Sequence, residues 1–138
     1  MNIITGNFHV CINTCNFAKS VAFYQALGFT ERGQVGIQTD TRRMQYLIHH
    51  QSGAIVEILQ YLEPSAKTVS IRERTDIPGL NHFGFHVSDL STIRNLLLNL
   101  GAPIIEDAST ELYDYLFARG PDHELIGFAQ FKQSQIQE

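Results

Sequence analysis

Apolar positions recur at helical spacing along two stretches of the chain, and each stretch is preceded by a short segment in which apolar and polar residues alternate. Residues 9–29 read HVCINTCNFAKSVAFYQALGF and residues 82–102 read HFGFHVSDLSTIRNLLLNLGA. In the opening segments Val10 and Ile12 share one strand face, opposite His9, Cys11 and Asn13. Phe83, Phe85 and Val87 likewise oppose His82, Gly84 and His86, because successive strand side chains point to opposite faces. Phe17, Val21, Tyr24 and Leu27, then Leu90, Ile93, Leu97 and Leu100, mark the buried stripes of two amphipathic helices. Asn16 and Asp89 suit the N-caps, since their side-chain oxygens accept from orphan amides of the first turn. Gly28 and Gly101 suit the left-handed stops.

These stretches are copies of one unit, in which His9 aligns with His82, Asn16 with Asp89 and Gly28 with Gly101. Each copy continues into three further strands. The first copy predicts them near 30–34, 42–49 and 54–61, with QSGA as the turn between the last two. The second predicts 103–106, 112–119 and 124–131, with GPDH as a tight turn. AIVEILQ aligns with ELIGFAQ, which sets Glu57 on Gly127 and Gln60 on Gln130. Stretches 35–41 and 62–79 read as loops. The expected fold is therefore α+β: two βαβββ repeats forming a cup-shaped mixed sheet with helices on the outside. It is a single domain over 1–138, with repeat one at 5–62, a linker at 63–79 and repeat two at 80–131. The tail from Lys132 onward is polar and expected to fray.

A chain of 138 residues with 43% apolar content can build a core without staples. Its net charge of −4 and scattered basic residues argue against a nucleic-acid footprint. Cys11 and Cys15 are too few for a disulfide framework and fit reduced thiols in a cytoplasmic protein. No apolar run approaches a membrane span, and no signal peptide is apparent.

Glu57 carries the strongest chemical signal. A carboxylate among Ile55, Val56, Ile58 and Leu59 is costly unless it is paired, solvated on one strand face or bound to a metal. His9 and His82 open equivalent strands and share its polar face by parity. Two imidazoles and a carboxylate are a common ligand set for Zn, Ni, Mn or Fe(II). Cys11, Asn13 and His86 continue the same faces. On LYDYLFARG, Tyr113, Tyr115 and Phe117 share one face, either as pocket wall or as ordinary amphipathic packing. His49 and His50 flank a turn and read as solvated, and Arg42 and Arg43 as surface charge.

HVCINTCNFAKSVAFYQALGF, NHFGFHVSDL and RGPDHELIGF resemble the signatures of the vicinal-oxygen-chelate superfamily, which includes glyoxalase I, methylmalonyl-CoA epimerase, fosfomycin-resistance proteins, extradiol dioxygenases and bleomycin-resistance proteins. The resemblance spans nearly the whole chain. It implies metal ligands at His9, Glu57 and His82 and a fourth at position 127, where this chain has Gly instead of Glu. Glu124 and His123 are poor substitutes by strand position. The resemblance to the fosfomycin-resistance proteins further turns the Tyr113/Tyr115 face toward a substrate pocket, with both tyrosines in catalytic positions. By parity Cys11, Asn13, Phe117 and Gly127 would line that pocket, and His86 would serve as an acid or base, as a partner holding a ligand, or as an alternative ligand.

The leading expectation is a glyoxalase-like metalloenzyme that uses a divalent ion as Lewis acid on a small oxygen-chelating substrate. An Fe(II)-dependent oxygenase on the same triad and a metal-free binding or resistance protein are the alternatives. A homodimer is expected, because one βαβββ unit makes only half of a cup-shaped sheet and the resemblance implies repeats that pair across subunits, as the family often does in chains of this length.

Overall fold

The computed structural model describes residues 9–62 and 80–132, with the side chains of 33–37 left aside. The chain divides into two compact units, 1–69 and 70–138. The first holds strand β1 (His9–Asn13), helix α1 (Phe17–Ala26) and strands β2 (Thr30–Gln38), β3 (Arg42–His49) and β4 (Ala54–Tyr61). The second holds β5 (Phe83–His86), α2 (Leu90–Asn99), β6 (Ile104–Ser109), β7 (Tyr113–Arg119) and β8 (Leu125–Phe131). Each is a βαβββ unit, as the repeat predicts.

The two sheets have one topology. Strand order is β1-β4-β3-β2 in the first and β5-β8-β7-β6 in the second. The first and last strands of each unit pair in parallel and the remaining pairs are antiparallel. Cys11 stands opposite Glu57 in β1/β4, and Gly84 opposite Gly127 in β5/β8. The sequence alignment of Glu57 with Gly127 therefore holds at the level of strand register.

Both helices start and stop where the sequence expects. The Asn16 side chain accepts from the Lys19 amide and the Asp89 side chain from the Thr92 amide. Gly28 and Gly101 take φ of 99° and 70°, the left-handed geometry that glycine adopts without steric cost. A second tie is repeated in altered form at the strand–helix junction. The Gln60 amide donates to the Cys15 carbonyl, whereas Gln130 Oε1 accepts from the Leu90 N–H. These equivalent glutamines thus pin each last strand to the start of its helix.

α1 packs on β3 and β4, and α2 on β7 and β8. The core of the first unit gathers Ile12, Tyr24, Phe29, Leu47, Val56 and Ile58, and that of the second Leu90, Leu97, Leu116, Ala118, Ile126 and Phe128. The helical stripes differ from expectation at their ends. α1 buries Ser20, Val21, Phe23 and Tyr24, while Phe17 lies at the margin and carries the Arg43 guanidinium 4.3 Å from its ring centroid. α2 buries Leu90 and Leu97, and Leu100, at the C-cap, is exposed.

Two strands are longer than the alternation indicates. β2 continues through Gln38 into the expected loop, and β6 extends from Ile104 to Ser109. Both are edge strands with a register shift against their neighbour. Edge strands carry polar residues and bulges that limit unwanted pairing, and such composition hides them from a reading based on apolar alternation. The expected linker at 63–79 lies outside the described residues. Among the described residues, no helix is long and apolar enough to cross a membrane.

Candidate functional site

On the face of the first sheet away from α1, three strands bring a cluster together. Register places Cys11 of β1, Glu57 of β4 and Tyr46 of β3 in one row across the sheet. Glu57 is 9% exposed and sits between Ile55 and Leu59 on its strand face. His9, two residues before Cys11 on the same face, reaches diagonally to it, with Nε2 3.4 Å from Glu57 Oε2. The His9 ring meets the Tyr46 ring edge-on, centroids 5.8 Å apart. The Cys11 thiol donates to the Glu57 carboxylate. Burial, and then the negative charge and hydrogen bond of Glu57, push that thiol above its ordinary pKa.

The 3.4 Å separation is long for a hydrogen bond. It matches the edge between two ligands of one ion: at metal–ligand distances of about 2.0–2.1 Å, tetrahedral ligands stand roughly 3.3 Å apart. His9 and Glu57 therefore fit two corners of a coordination shell. Among the described residues, no three His, Cys, Asp or Glu side chains gather into a group able to hold a metal ion.

The equivalent face of the second sheet has different chemistry. The row that reads Cys11, Glu57, Tyr46 in the first unit reads Gly84, Gly127, Phe117 in the second. His82 precedes β5 by one residue. Its ring meets Phe117 edge-on at 4.7 Å and 82°, the counterpart of the His9–Tyr46 contact, which is also at 82°. Asn81 Oδ1 lies 2.8 Å from His82 Nδ1. A proton on Nδ1 donated to that oxygen leaves Nε2 with its lone pair free, the form a metal ligand requires.

A side chain at Gly127 would have close aromatic neighbours. A Cβ built there would lie 3.0 Å from Phe117 Cε1 and 3.5 Å from His82 Cδ2. The Phe117 ring would have to give by a few tenths of an ångström, whereas the His82 ring would be in ordinary contact. A Cβ on Gly84 would lie 2.9 Å from the Gly127 carbonyl oxygen, so the two small residues allow β5 and β8 to approach closely. Glu124 is no replacement ligand. It folds into the GPDH turn and accepts from the Asp122 amide, while His123 is exposed at φ 64°.

From His82 and Phe117 the aromatic lining continues around the face. Phe117 meets Tyr115 at 5.7 Å, Tyr115 meets Tyr113 at 5.8 Å, Tyr113 meets Phe131 at 5.3 Å and Phe131 meets His86 at 4.8 Å. Tyr113, Tyr115 and Phe117 thus share one face with His86, as parity predicts. The Tyr115 hydroxyl donates to Glu106 Oε1 at 3.0 Å, and that bond holds the phenol above its ordinary pKa.

The structure thus brings His9, Glu57 and Cys11 together in one unit, with Asn13 farther along the same face. It brings His82, His86, Tyr113, Tyr115, Phe117 and Gly127 together in the other. Sequence reasoning missed Tyr46, Glu106, Ala129 and Phe131. Tyr46 was recoverable from the repeat, since it stands to Glu57 as Phe117 stands to Gly127. His49 is half-buried instead of solvated: Nδ1 lies 2.8 Å from Ser52 Oγ and the ring packs on Phe29.

The family model of the Glyoxalase/Bleomycin resistance protein/Dioxygenase superfamily matches residues 8–117. Among solved structures, a glyoxalase family protein from Bacillus cereus is 16% identical, covers 94% of this chain and 96% of its own, and superposes with a TM-score of 0.81. A glyoxalase/bleomycin resistance protein/dioxygenase domain from Frankia is 18% identical over 94% of each chain, with a TM-score of 0.75. A mutant of the fosfomycin resistance protein FosX from Listeria monocytogenes, solved with Mn(II) and 1S,2S-dihydroxypropylphosphonic acid, is 16% identical over 96% of this chain and 95% of its own, with a TM-score of 0.71. At these identities the likeness establishes the fold. No curated protein matches the chain.

Proposed function

The chain belongs to the Glyoxalase/Bleomycin resistance protein/Dioxygenase superfamily, and on that premise we propose that it is a metalloprotein acting on a small oxygen-chelating substrate, with His9, Glu57 and His82 as its ligands. The observation that carries this reading is the His9–Glu57 pair at 3.4 Å. A largely buried carboxylate at that distance from an imidazole has the spacing of two ligands of one ion. His82, its repeat counterpart, supplies a third nitrogen from the same chain or a second copy, and Asn81 fixes its ring.

When bound, a divalent ion of Zn, Ni, Mn or Fe polarises a substrate oxygen as a Lewis acid. The remaining work falls to side chains. Gly127 brings no carboxylate, so proton transfer of the kind expected in glyoxalase I or the epimerase has no base at that corner. Tyr115 donates its one hydroxyl hydrogen bond to Glu106 and acts as a wall. His86 and Tyr113 bind substrate on the same face. Cys11 and Asn13 line the Glu57 side.

A metal-free binding protein is the second reading, favoured by the Phe117 ring over Gly127. A metal-competition titration separates the two. Wild type should bind one divalent ion, and His9→Ala, Glu57→Gln and His82→Ala should each weaken it by more than the roughly tenfold to hundredfold that an outer-shell change costs. Wild type that takes up none of the four ions would establish the second reading. Iron together with O₂ consumption on turnover would convert the first into an oxygenase.

A further inference from the structure

The aromatic lining of the second sheet is uninterrupted from His82 around to His86, yet no contact links His86 with Tyr115 across the row they share. In that row Ala129 of β8 is the register partner of both. Above it the His82 and Phe117 rings close on each other at 4.7 Å. Below it Phe131 bridges Tyr113 and His86 at 5.3 and 4.8 Å. What remains is a slot with a methyl group as its floor, Tyr115 as one wall and His86 as the other.

Its width follows from the sheet. β5 and β7 stand two strand spacings apart, about 9.6 Å. That separation keeps the two rings apart, with Tyr115 leaning toward Glu106 on β6, and leaves space for a planar group above Ala129. Rings stand at both ends, His82 and Phe117 at one and Phe131 at the other, so the surroundings of the space are largely aromatic. Tyr115 is held in place by its bond to Glu106 and β7 is paired on both sides, so the wall is preorganised. His86 is exposed, which puts the polar side of the slot at its mouth.

We propose that the Ala129 slot binds a flat aryl group of the ligand, standing edge-on between Tyr115 and His86 with its polar substituent at the His86 mouth. This deepens the reading of the chain as a small-molecule protein and rests on it, but needs no metal. Aryl recognition and metal binding therefore fail independently.

The test is NMR titration of the protein, metal-free and metal-loaded, with benzyl alcohol and with cyclohexylmethanol. The two carry the same substituent, and only the first has a planar ring. Benzyl alcohol should shift the Ala129 methyl and Tyr115 ring signals saturably and bind about fivefold to tenfold more tightly. Ala129→Leu, which fills the floor, should abolish this while leaving the His9 and Glu57 signals in place. Tyr115→Leu, which keeps bulk and removes the ring, should erase the preference for the planar alcohol. Equal affinity for both alcohols, shifts centred elsewhere, or unchanged binding in either folded variant would overturn the proposal. Loss of metal uptake with the aryl preference intact would overturn the metal reading and leave this one standing.

Discussion

Glu57 and Cys11 show how a single strand position sets the chemistry of its neighbour. The thiol is pushed up first by burial and then by the carboxylate beside it, so Cys11 stays protonated at pH values where a free thiol begins to ionise. A protonated thiol is a poor nucleophile. Alkylation of Cys11 with iodoacetamide at pH 8, followed by peptide mass spectrometry, should therefore be slow. Glu57→Gln should accelerate it and move the pH–rate midpoint down, because the charge and the strong acceptor are gone. An unchanged midpoint would contradict the contact. Gly84 and Gly127 make the complementary case, where the absence of a side chain permits the packing. Gly84→Ala sets a methyl against a backbone oxygen at 2.9 Å, which cannot swing away. Gly127→Ala meets the edge of the Phe117 ring at 3.0 Å, which can. Both overpack, by about 1–3 kcal/mol, and urea unfolding should rank Gly84→Ala as the more destabilising. The reverse order would mean that the Phe117 ring is the more rigid neighbour.

At the scale of elements, α2 depends on two carboxylates. Asp89 caps its start, with its carboxyl held below the usual range by the Thr92 hydroxyl and then by the Thr92 amide. Asp107 on β6 takes both guanidinium nitrogens of Arg94 at 2.7 and 2.9 Å and is likewise lowered by that bond. A carboxylate with a depressed folded pKa adds stability that is fully present above its ordinary value, about pH 4, and is lost as pH falls through the folded value. Both groups are exposed, so each effect is small and weakens with salt. The double variant Asp89→Asn/Asp107→Asn should show a shallower loss of urea stability between pH 5 and pH 2 than wild type, in order-of-magnitude terms. Identical slopes would show that neither carboxylate contributes. These elements were legible in unequal measure. The helices, with Asn16, Asp89, Gly28 and Gly101 at their ends, could be read because cap chemistry is local. The central strands could be read because one face is buried. β2 and β6 were underestimated because an edge strand needs only one hydrogen-bonded neighbour and tolerates TERGQVGIQ or IIEDAS. For the site, parity grouped His9, Cys11, Glu57, His82, His86 and the β7 aromatics on their sheet faces, since all lie on regular strands or, for His82, one residue before one. It could not reveal that Phe117 leans over Gly127, because a rotamer depends on what crosses from the next strand. Phe131 went unnoticed because only strand pairing brings it beside Tyr113 and His86.

At the scale of the molecule, two copies of one βαβββ unit keep the same register but differ in chemistry. The first has a carboxylate opposite Cys11, and the second has glycine there with the Phe117 ring beside it. We propose a homodimer in which repeats pair across subunits. Mixing His9→Ala chains with His82→Ala chains would then restore up to one complete ligand set in each heterodimer. No regained metal binding, with heterodimers demonstrated, would instead assign each set to a single chain. The most direct test of the central claim is elemental analysis of protein purified without chelator and without a nickel affinity step, beside His9→Ala prepared in the same way. The account predicts about one divalent ion per wild-type chain and far less in the variant. Wild-type protein that holds no Fe, Zn, Ni or Mn and takes up none when supplied would contradict it.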